Sequence, residues 1–293
     1  MADARVVVVG DVIDDVVVVP SGPIRTDTDT TSTIALRAGG SAANSAAWLG
    51  ELGASVDFVG IVGEADVARH AALLERFGVR AHLSAHPVLP TGTIVVLVQG
   101  EQRAMLTERG ANAAFDPDAV PDSLLEGAAA LLLTGHSVSG DTSPASMVSL
   151  HARARALGVP VVVSPGSAGH IADFGVDKFR EVFAAAAVII SSLDEARVLS
   201  GLDGADAAAT ALLAVADLVV LTNGGDGIVI ASSAGLTHVA IERATVIDPT
   251  GAGDAFTAGF LREWTRSGDA VAAARLGCAT AARSIALVGG RPL

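Results

Sequence analysis

From Arg5 onward, short runs of valine, leucine and isoleucine alternate with stretches of helical spacing, and that order leaves few architectures open. Arg5 to Gly10 is almost entirely valine, as expected of a first strand packed on both faces. Further strand-like runs fall at Ala54 to Gly60, Ala130 to Thr134, Pro160 to Ser164, Val188 to Ser191 and Leu218 to Thr222. Helical spacing appears at Ser41 to Leu52, Glu64 to Phe77, Gly253 to Thr265 and Asp269 to Leu287. Strand followed by helix, repeated, favours an α/β fold with a mainly parallel sheet and helices on both sides. Val229 to Val239 resembles a hairpin around Ser232 to Gly235, and a Thr/Asp stretch carries the chain from Pro20 to Gly39 as a connection.

One part of the chain has a different texture. Val16 to Val19 and Thr91 to Gln99 are rich in β-branched residues, and Gln102 to Thr107 is spaced to pair back on the latter across Gly100 and Glu101. They predict a small extra sheet, from segments at about 12–36 and 88–110. A mobile lid over a site and a simple edge extension are both open. No linker, repeat or low-complexity segment divides the 293 residues, so 1–293 is expected to be a single domain.

Composition removes several function classes. Apolar residues make up 51% of the chain, yet the longest runs, Val182 to Ile190 and Ala207 to Leu221, are short or carry Asp217, so no membrane span is expected. The net charge is −13, and the 19 Lys and Arg residues form no basic run, which argues against a nucleic-acid partner. No secretory leader opens the sequence, and its single cysteine, Cys278, is expected in the core of a cytoplasmic protein. Lys178 is the only lysine and sits in a polar segment, which excludes a Walker-type P-loop and disfavours a pyridoxal-phosphate aldimine.

Chemistry concentrates at Asp248-Pro249-Thr250-Gly251-Ala252-Gly253-Asp254-Ala255-Phe256, a glycine-rich turn feeding an amphipathic helix. The unpaired N–H groups and positive dipole end of such a helix form an anion site, which can hold a migrating phosphoryl group without a lysine. Asp254 in the first turn is placed to take a proton from an attacking hydroxyl; as a plain helix cap it would do no chemistry. Gly39-Gly40-Ser41-Ala42-Ala43-Asn44 likewise puts two glycines at a helix mouth, with an amide one turn inside to bind a polyhydroxylated ligand. Asp14 and Asp15 are neighbours in a strand, so only one of them can face a pocket. His82 and His86 fit surface histidines better than a metal pair, and His136, after Gly135, is open to lining the sugar pocket but is expected as a satisfied loop histidine.

Together these segments resemble the two signatures of the ribokinase-like, or PfkB-type, carbohydrate kinase family. Intermediate landmarks fall in order, including Gly10 to Asp15, Thr91-Gly92-Thr93, Arg109 to Ala113 and Leu221 to Gly227. The resemblance implies a ribokinase-like three-layer α/β/α fold with a small β-sheet lid, and ATP-dependent phosphorylation of a hydroxyl on a sugar or sugar-like molecule. It assigns catalysis to Asp254 with Gly251, Ala252 and Gly253, and acceptor binding to Asp15, Gly39, Gly40, Asn44 and Asp254. On the nucleotide side it implies Thr222, Gly224, Gly227, Thr250, Gly251 and Gly253. Mg²⁺ would be organised by Glu195 through water, and K⁺ by Asp248 with the loop around Gly289 and Gly290.

Two positions depart from the family pattern. Ser192 stands where an amide is usual and Ser164 where a carboxylate is usual, which bears on metal handling. The open alternatives are a nucleoside kinase of the same fold and a catalytically weak sugar-binding regulatory protein. A dinucleotide-dependent dehydrogenase is disfavoured, because Gly10 lacks a G-x-G-x-x-G continuation. A homodimer through the exposed edges of the lid is a further expectation.

Overall fold

The computed structural model describes residues 4–99, 102–138, 144–242 and 244–292. The first half contains β1 (Arg5–Val9), β2 (Ile13–Pro20), β3 (Ser32–Gly39), α1 (Ser41–Glu51), β4 (Ser55–Gly63), α2 (Val67–Glu75), β5 (Val79–His86), β6 (Gly92–Gln99), β7 (Gln102–Glu108), α3 (Asp122–Leu125) and β8 (Ala130–Thr134). The second half contains α4 (Pro144–Ala156), β9 (Val161–Ser164), α5 (Ala168–Phe174), α6 (Val176–Val182), β10 (Ala186–Ser192), α7 (Leu193–Ser200), α8 (Ala205–Leu212), β11 (Ala216–Thr222), β12 (Ile228–Ser232), β13 (Gly235–Val239), α9 (Ala252–Ser267) and α10 (Ala270–Ser284).

Nine strands form the main sheet in the order β13-β12-β11-β10-β9-β8-β1-β4-β5. All neighbours pair in parallel except β11 with β12 and β12 with β13. The period of two along a strand explains the valine runs. Val7 and Val9 of β1 join Leu131, Leu133, Val163 and Ile189 in a core beneath α4 to α8. Val6 and Val8 join Leu132, Val162, Trp48 and Phe260 in the opposite core, beneath α1, α2, α9 and α10. Both faces of the sheet are buried, which gives the three layers expected of the sequence. Among the described residues no helix is long and apolar enough to cross a membrane.

A second sheet stands apart, in the order β3-β2-β6-β7, with β2 and β6 parallel in its middle. The turn expected at Gly100 and Glu101 lies outside the described residues. Two strands had not been expected. β3 fills the stretch read as a connection, because its partner β2 supplies a full eight-residue ladder to a sequence rich in Ala, Leu and Arg. β5 escaped notice because its exposed polar side chains dilute the apolar signal, yet it pairs with β4 from Val79 to His86.

His82 lies on β5 and contacts Asp57 at 2.8 Å, while His86 Nδ1 accepts from the N–H groups of Val88 and Leu89. No group of three or more His, Cys, Asp or Glu among the described residues can hold a metal ion. Asp57 itself ties three neighbouring strands together. It accepts from Arg5 of β1 at 3.0 Å, from Arg80 of β5 at 2.8 Å and from the His82 contact. Burial alone would raise its pKa, but hydrogen bonds from Arg80, His82 and Arg5 prevail and hold the carboxyl well below the usual range.

Asp57→Ala is therefore expected to cost about 2 kcal/mol in urea unfolding at pH 7, since it removes the buried acceptor shared by three partly exposed side chains. A depressed pKa stabilises above the unfolded value and is lost as pH falls. The gap between wild-type and variant stability should begin to narrow as pH falls below about 4 and keep narrowing into strong acid; a gap that does not change with pH would contradict this assignment.

Candidate active site

Loops at the carboxyl ends of the parallel strands carry the polar groups, as expected for open α/β sheets. β1 runs into Gly10 and then Asp11, which is only 5% exposed. The Asp11 carboxylate accepts from Ser41 N at 2.9 Å, Ala42 N at 3.1 Å and Thr134 Oγ1 at 3.2 Å. It thus caps α1 from thirty residues upstream and satisfies N–H groups that a helix cannot pair internally. Gly40, at φ 94°, allows the approach, because a Cβ there would stand 2.4 Å from the Asp11 carbonyl oxygen. A Cβ on Gly39 would stand 2.2 Å from Asp15 Oδ2. The first contact of the glycine pair is therefore with the protein's own acidic segment.

Asn44 sits one turn inside α1 and donates through Nδ2 to Asp254 Oδ2 at 3.0 Å. The neighbouring Ser45 Oγ donates to the Asp254 carbonyl at 3.3 Å, so α1 and α9 are joined at their starts. Gly251, at φ 74°, turns the chain into α9 and lies so close to the C-terminal tail that a Cβ would meet Gly290 Cα at 2.5 Å. Asp248 holds both ends of this arrangement, accepting from Thr250 N at 2.9 Å and Gly289 N at 3.0 Å. Trp48 Nε1 donates to the Gly290 carbonyl at 2.9 Å.

Burial pushes the Asp254 pKa up to about 8; the Asn44 hydrogen bond opposes the rise and Asp11 adds to it. Asp15 is pushed up to about 6, mainly by burial, with Arg291 as the chief opposing charge. Its neighbour Asp14 points elsewhere, pairing with Arg69 at 2.6 Å and standing 3.4 Å from His70 Nε2.

A cleft of about 440 Å³ adjoins the start of α9. Thr222, Gly224 and Gly253 line it together with the apolar Ile228, Phe256 and Ile285, a slot suited to a flat heterocycle next to polar loops. Gly227 is not on its wall; it is buried at φ 101° where a Cβ would meet the Val239 carbonyl. Thr250 lies in the turn itself. Cys278, expected in the core, is half-buried on the wall of this cleft, because α10 turns that face toward the opening. A second cleft of about 460 Å³ lies between β3, α2 and the tail, lined by Arg37, Phe77, Gly289 and Arg291.

Glu195 occupies the third position of α7 and forms a capping box with Ser192. Its Oε2 accepts from Ser192 N at 2.9 Å, and its N–H donates to Ser192 Oγ at 3.3 Å. Burial raises its pKa. Ser192 therefore serves the backbone where an amide had been expected to serve a metal.

Three groups have contacts that their local sequence did not show. Asn112 clamps the link between the sheets, donating to the Val12 carbonyl at 2.7 Å and accepting from Val12 N at 3.1 Å. His136 departs from the expected satisfied histidine, because its Nδ1 is buried without a partner among the described residues. Its ring lies 4.7 Å from that of His170, which lies 6.2 Å from Phe174. Burial pushes the His136 pKa down to about 4, so this ring is neutral at pH 7. Arg291 enters from the far end of the chain, donating to Asn44 Oδ1 at 3.2 Å and the Gly39 carbonyl at 2.8 Å.

A family model described as "pfkB family carbohydrate kinase" matches residues 3–292. The adenosine kinase of Saccharomyces cerevisiae is 30% identical over 230 residues, which is 73% of this chain and 67% of the yeast protein. Among solved structures, the adenosine kinase from Sinorhizobium meliloti superposes with a TM-score of 0.89 at 22% identity, covering 100% of this chain and 97% of the other. The ribokinase from Giardia lamblia superposes at 0.82 and 24% identity, covering 98% and 96%. These structures share the fold.

A carboxyl whose folded pKa exceeds its unfolded value stabilises at low pH and loses that contribution as pH rises toward the folded value. Asp254→Asn should therefore raise Tm at pH 8 by roughly 3 °C or more, about what 1 kcal/mol gives in a chain this long. The gain should shrink toward pH 4 in differential scanning calorimetry; equal Tm values at both pH values would show that Asp254 is not held against its ionised form.

Proposed function

The chain belongs to the pfkB family of carbohydrate kinases, and from that membership we propose that its acceptor is a nucleoside, phosphorylated on a ribose hydroxyl. As a kinase of this family it transfers a phosphoryl group from ATP to a sugar or nucleoside. Two observations favour the nucleoside. The yeast relative, matched over most of both chains, is an adenosine kinase. His170 also stacks on Phe174 at 6.2 Å and lies tilted against His136 at 4.7 Å beside Gly135, an aromatic group that supports recognition of a planar base. The solved ribokinase keeps a free pentose as the second reading.

The contact of Asn44 with Asp254 across two helix starts carries the mechanism. In this reading Asp254 takes the proton of the attacking hydroxyl, a role for which a pKa near working pH is favourable. The first-turn N–H groups at Gly251, Ala252 and Gly253 hold the charge of the migrating phosphoryl group. Asp15, Gly39, Gly40 and Asn44 orient the acceptor, and the small sheet folds over it as a lid within a single kinase unit. Thr222, Gly224 and Gly253 face the nucleotide; Gly227 and Thr250 shape the turns that present them.

The donors present fit Mg²⁺ bound mainly to ATP. Mg²⁺ usually retains waters and takes one or two carboxylates with substrate phosphates, so a single buried Glu195 suffices, through water. When bound, the ion neutralises charge on the phosphates. Asp248 with the loop around Gly289 and Gly290 is the place proposed for K⁺ by family likeness, although both Asp248 carboxylate oxygens accept from backbone N–H groups here. Exposed Ile34, Leu36, Met105 and Leu106 on the small sheet support a homodimer through the lid; sedimentation as a monomer at high concentration would remove it. Dependence on ATP fits a cytoplasmic location, and recovery of the native protein outside the cell would remove that.

ADP release with Mg-ATP should appear with one of adenosine, cytidine, inosine or ribose, and fall at least about 100-fold in Asp254→Asn. Glu195→Gln should raise the Mg²⁺ concentration for half-maximal rate, and replacing K⁺ by Na⁺ should slow turnover. Strongest turnover on ribose would overturn the nucleoside reading. Binding of an acceptor without any ADP release would leave a regulatory protein instead.

A further inference from the structure

Arg291 is 8% exposed, and two of its three nitrogens are committed. Nε donates to Asn44 Oδ1 and Nη2 to the Gly39 carbonyl. The first bond has a consequence one residue further on: an Asn44 whose oxygen faces Arg291 must turn its nitrogen to Asp254, as the 3.0 Å contact shows. The third nitrogen, Nη1, is buried with no partner among the described residues. Leaving a charged donor unsatisfied is costly, and such groups commonly mark a place where a ligand completes the set.

The opposite charge felt most strongly by Arg291 is Asp15, and Arg291 is likewise the chief cation acting on Asp15. The two do not form an ion pair within 4 Å. Gly39 separates them in the chain fold: its carbonyl takes Nη2, and the space where a Cβ would stand holds the Asp15 carboxyl. A hydroxyl is the group that joins such a pair, since it donates to a carboxylate and accepts from a guanidinium at once.

We propose that Arg291 is a specificity-determining residue of the acceptor site, holding one secondary hydroxyl of the acceptor between its Nη1 and Asp15 while fixing the Asn44 amide against Asp254. The inference rests on the acceptor-kinase reading above and adds to it the group that recognises a sugar hydroxyl remote from the one phosphorylated. The ligand class is a ribosyl or other polyol unit with a free hydroxyl next to the reacting arm. An acceptor lacking that hydroxyl leaves the guanidinium buried and unpaired, so discrimination should be large.

The test pairs enzyme and substrate deletions. Wild type, Arg291→Gln and Arg291→Lys are assayed with the best wild-type acceptor and with its 2-deoxy and 3-deoxy analogues. In wild type, loss of the shared hydroxyl should lower kcat/KM by about 100-fold, as expected for charge-assisted hydrogen bonds. In Arg291→Gln the parent acceptor should already be about 100-fold slower, and the same deoxy analogue should cost only about 10-fold more. Arg291→Lys, which keeps a charge, should recover part of the loss. The acid limb of kcat/KM should also move to higher pH in Arg291→Gln, because Asp15 loses its chief neighbouring cation.

A thermal scan of each variant separates recognition from folding, and Arg291→Lys carries the comparison if the glutamine variant does not fold. Penalties that simply multiply for both analogues, with an unshifted pH profile, would overturn the role of Arg291 and leave the kinase reading intact. Absence of turnover by wild type with every acceptor would overturn both.

Discussion

The site depends on one carboxylate, Asp11, set against the open end of α1. Its two oxygens take the N–H groups of Ser41 and Ala42, which anchors the Gly39-Gly40 turn against the end of β1. That fixes where α1 begins and therefore where Asn44 points. Asn44 reaches Asp254, and Ser45 binds the backbone beneath it, so the start of α1 sets the position of the start of α9. The two helix starts meet at that contact; the first N–H groups of α1 are taken by Asp11, and it is the start of α9 that lines the cleft.

That arrangement explains why acids cluster where acids should repel. Asp11, Asp15, Asp254 and Glu195 influence one another, and three of them have pKa values raised chiefly by burial. The fold carries this electrostatic strain at its working site and compensates elsewhere, through two well-packed cores and the Asp57 cluster at the edge of the sheet. Among the described residues Arg291 is the one buried arginine, and the tail that carries it also meets Trp48, Asp248 and Gly251. Residues 289–291 are accordingly packed against the starts of both helices.

Much of this was legible in local pattern. Valine runs gave the parallel strands because a strand buried on both faces needs no polar alternation, and the Gly251-Ala252-Gly253-Asp254 turn announced a helix start with an acid in its first turn. β3 and β5 were not legible, since their strand character comes from partners β2 and β4 rather than from their own residues. His136 was misjudged because satisfaction of a ring nitrogen depends on neighbours distant in the chain. Cys278 was placed in the core for a like reason: an apolar stretch does not say which side of its helix lines an opening.

The sequence by itself determined the layer order and the two glycine-rich helix starts, one of them with an acid in its first turn, because these follow from periodicity and from the chemistry of adjacent residues. Tertiary structure alone decided that Asp11 caps a helix thirty residues away, that Asp15 and not Asp14 turns toward Arg291, and that Ser192 is spent on its own helix. Such outcomes depend on burial and on the direction of side chains brought together by the fold, and neither quantity exists until the sheet has closed around them.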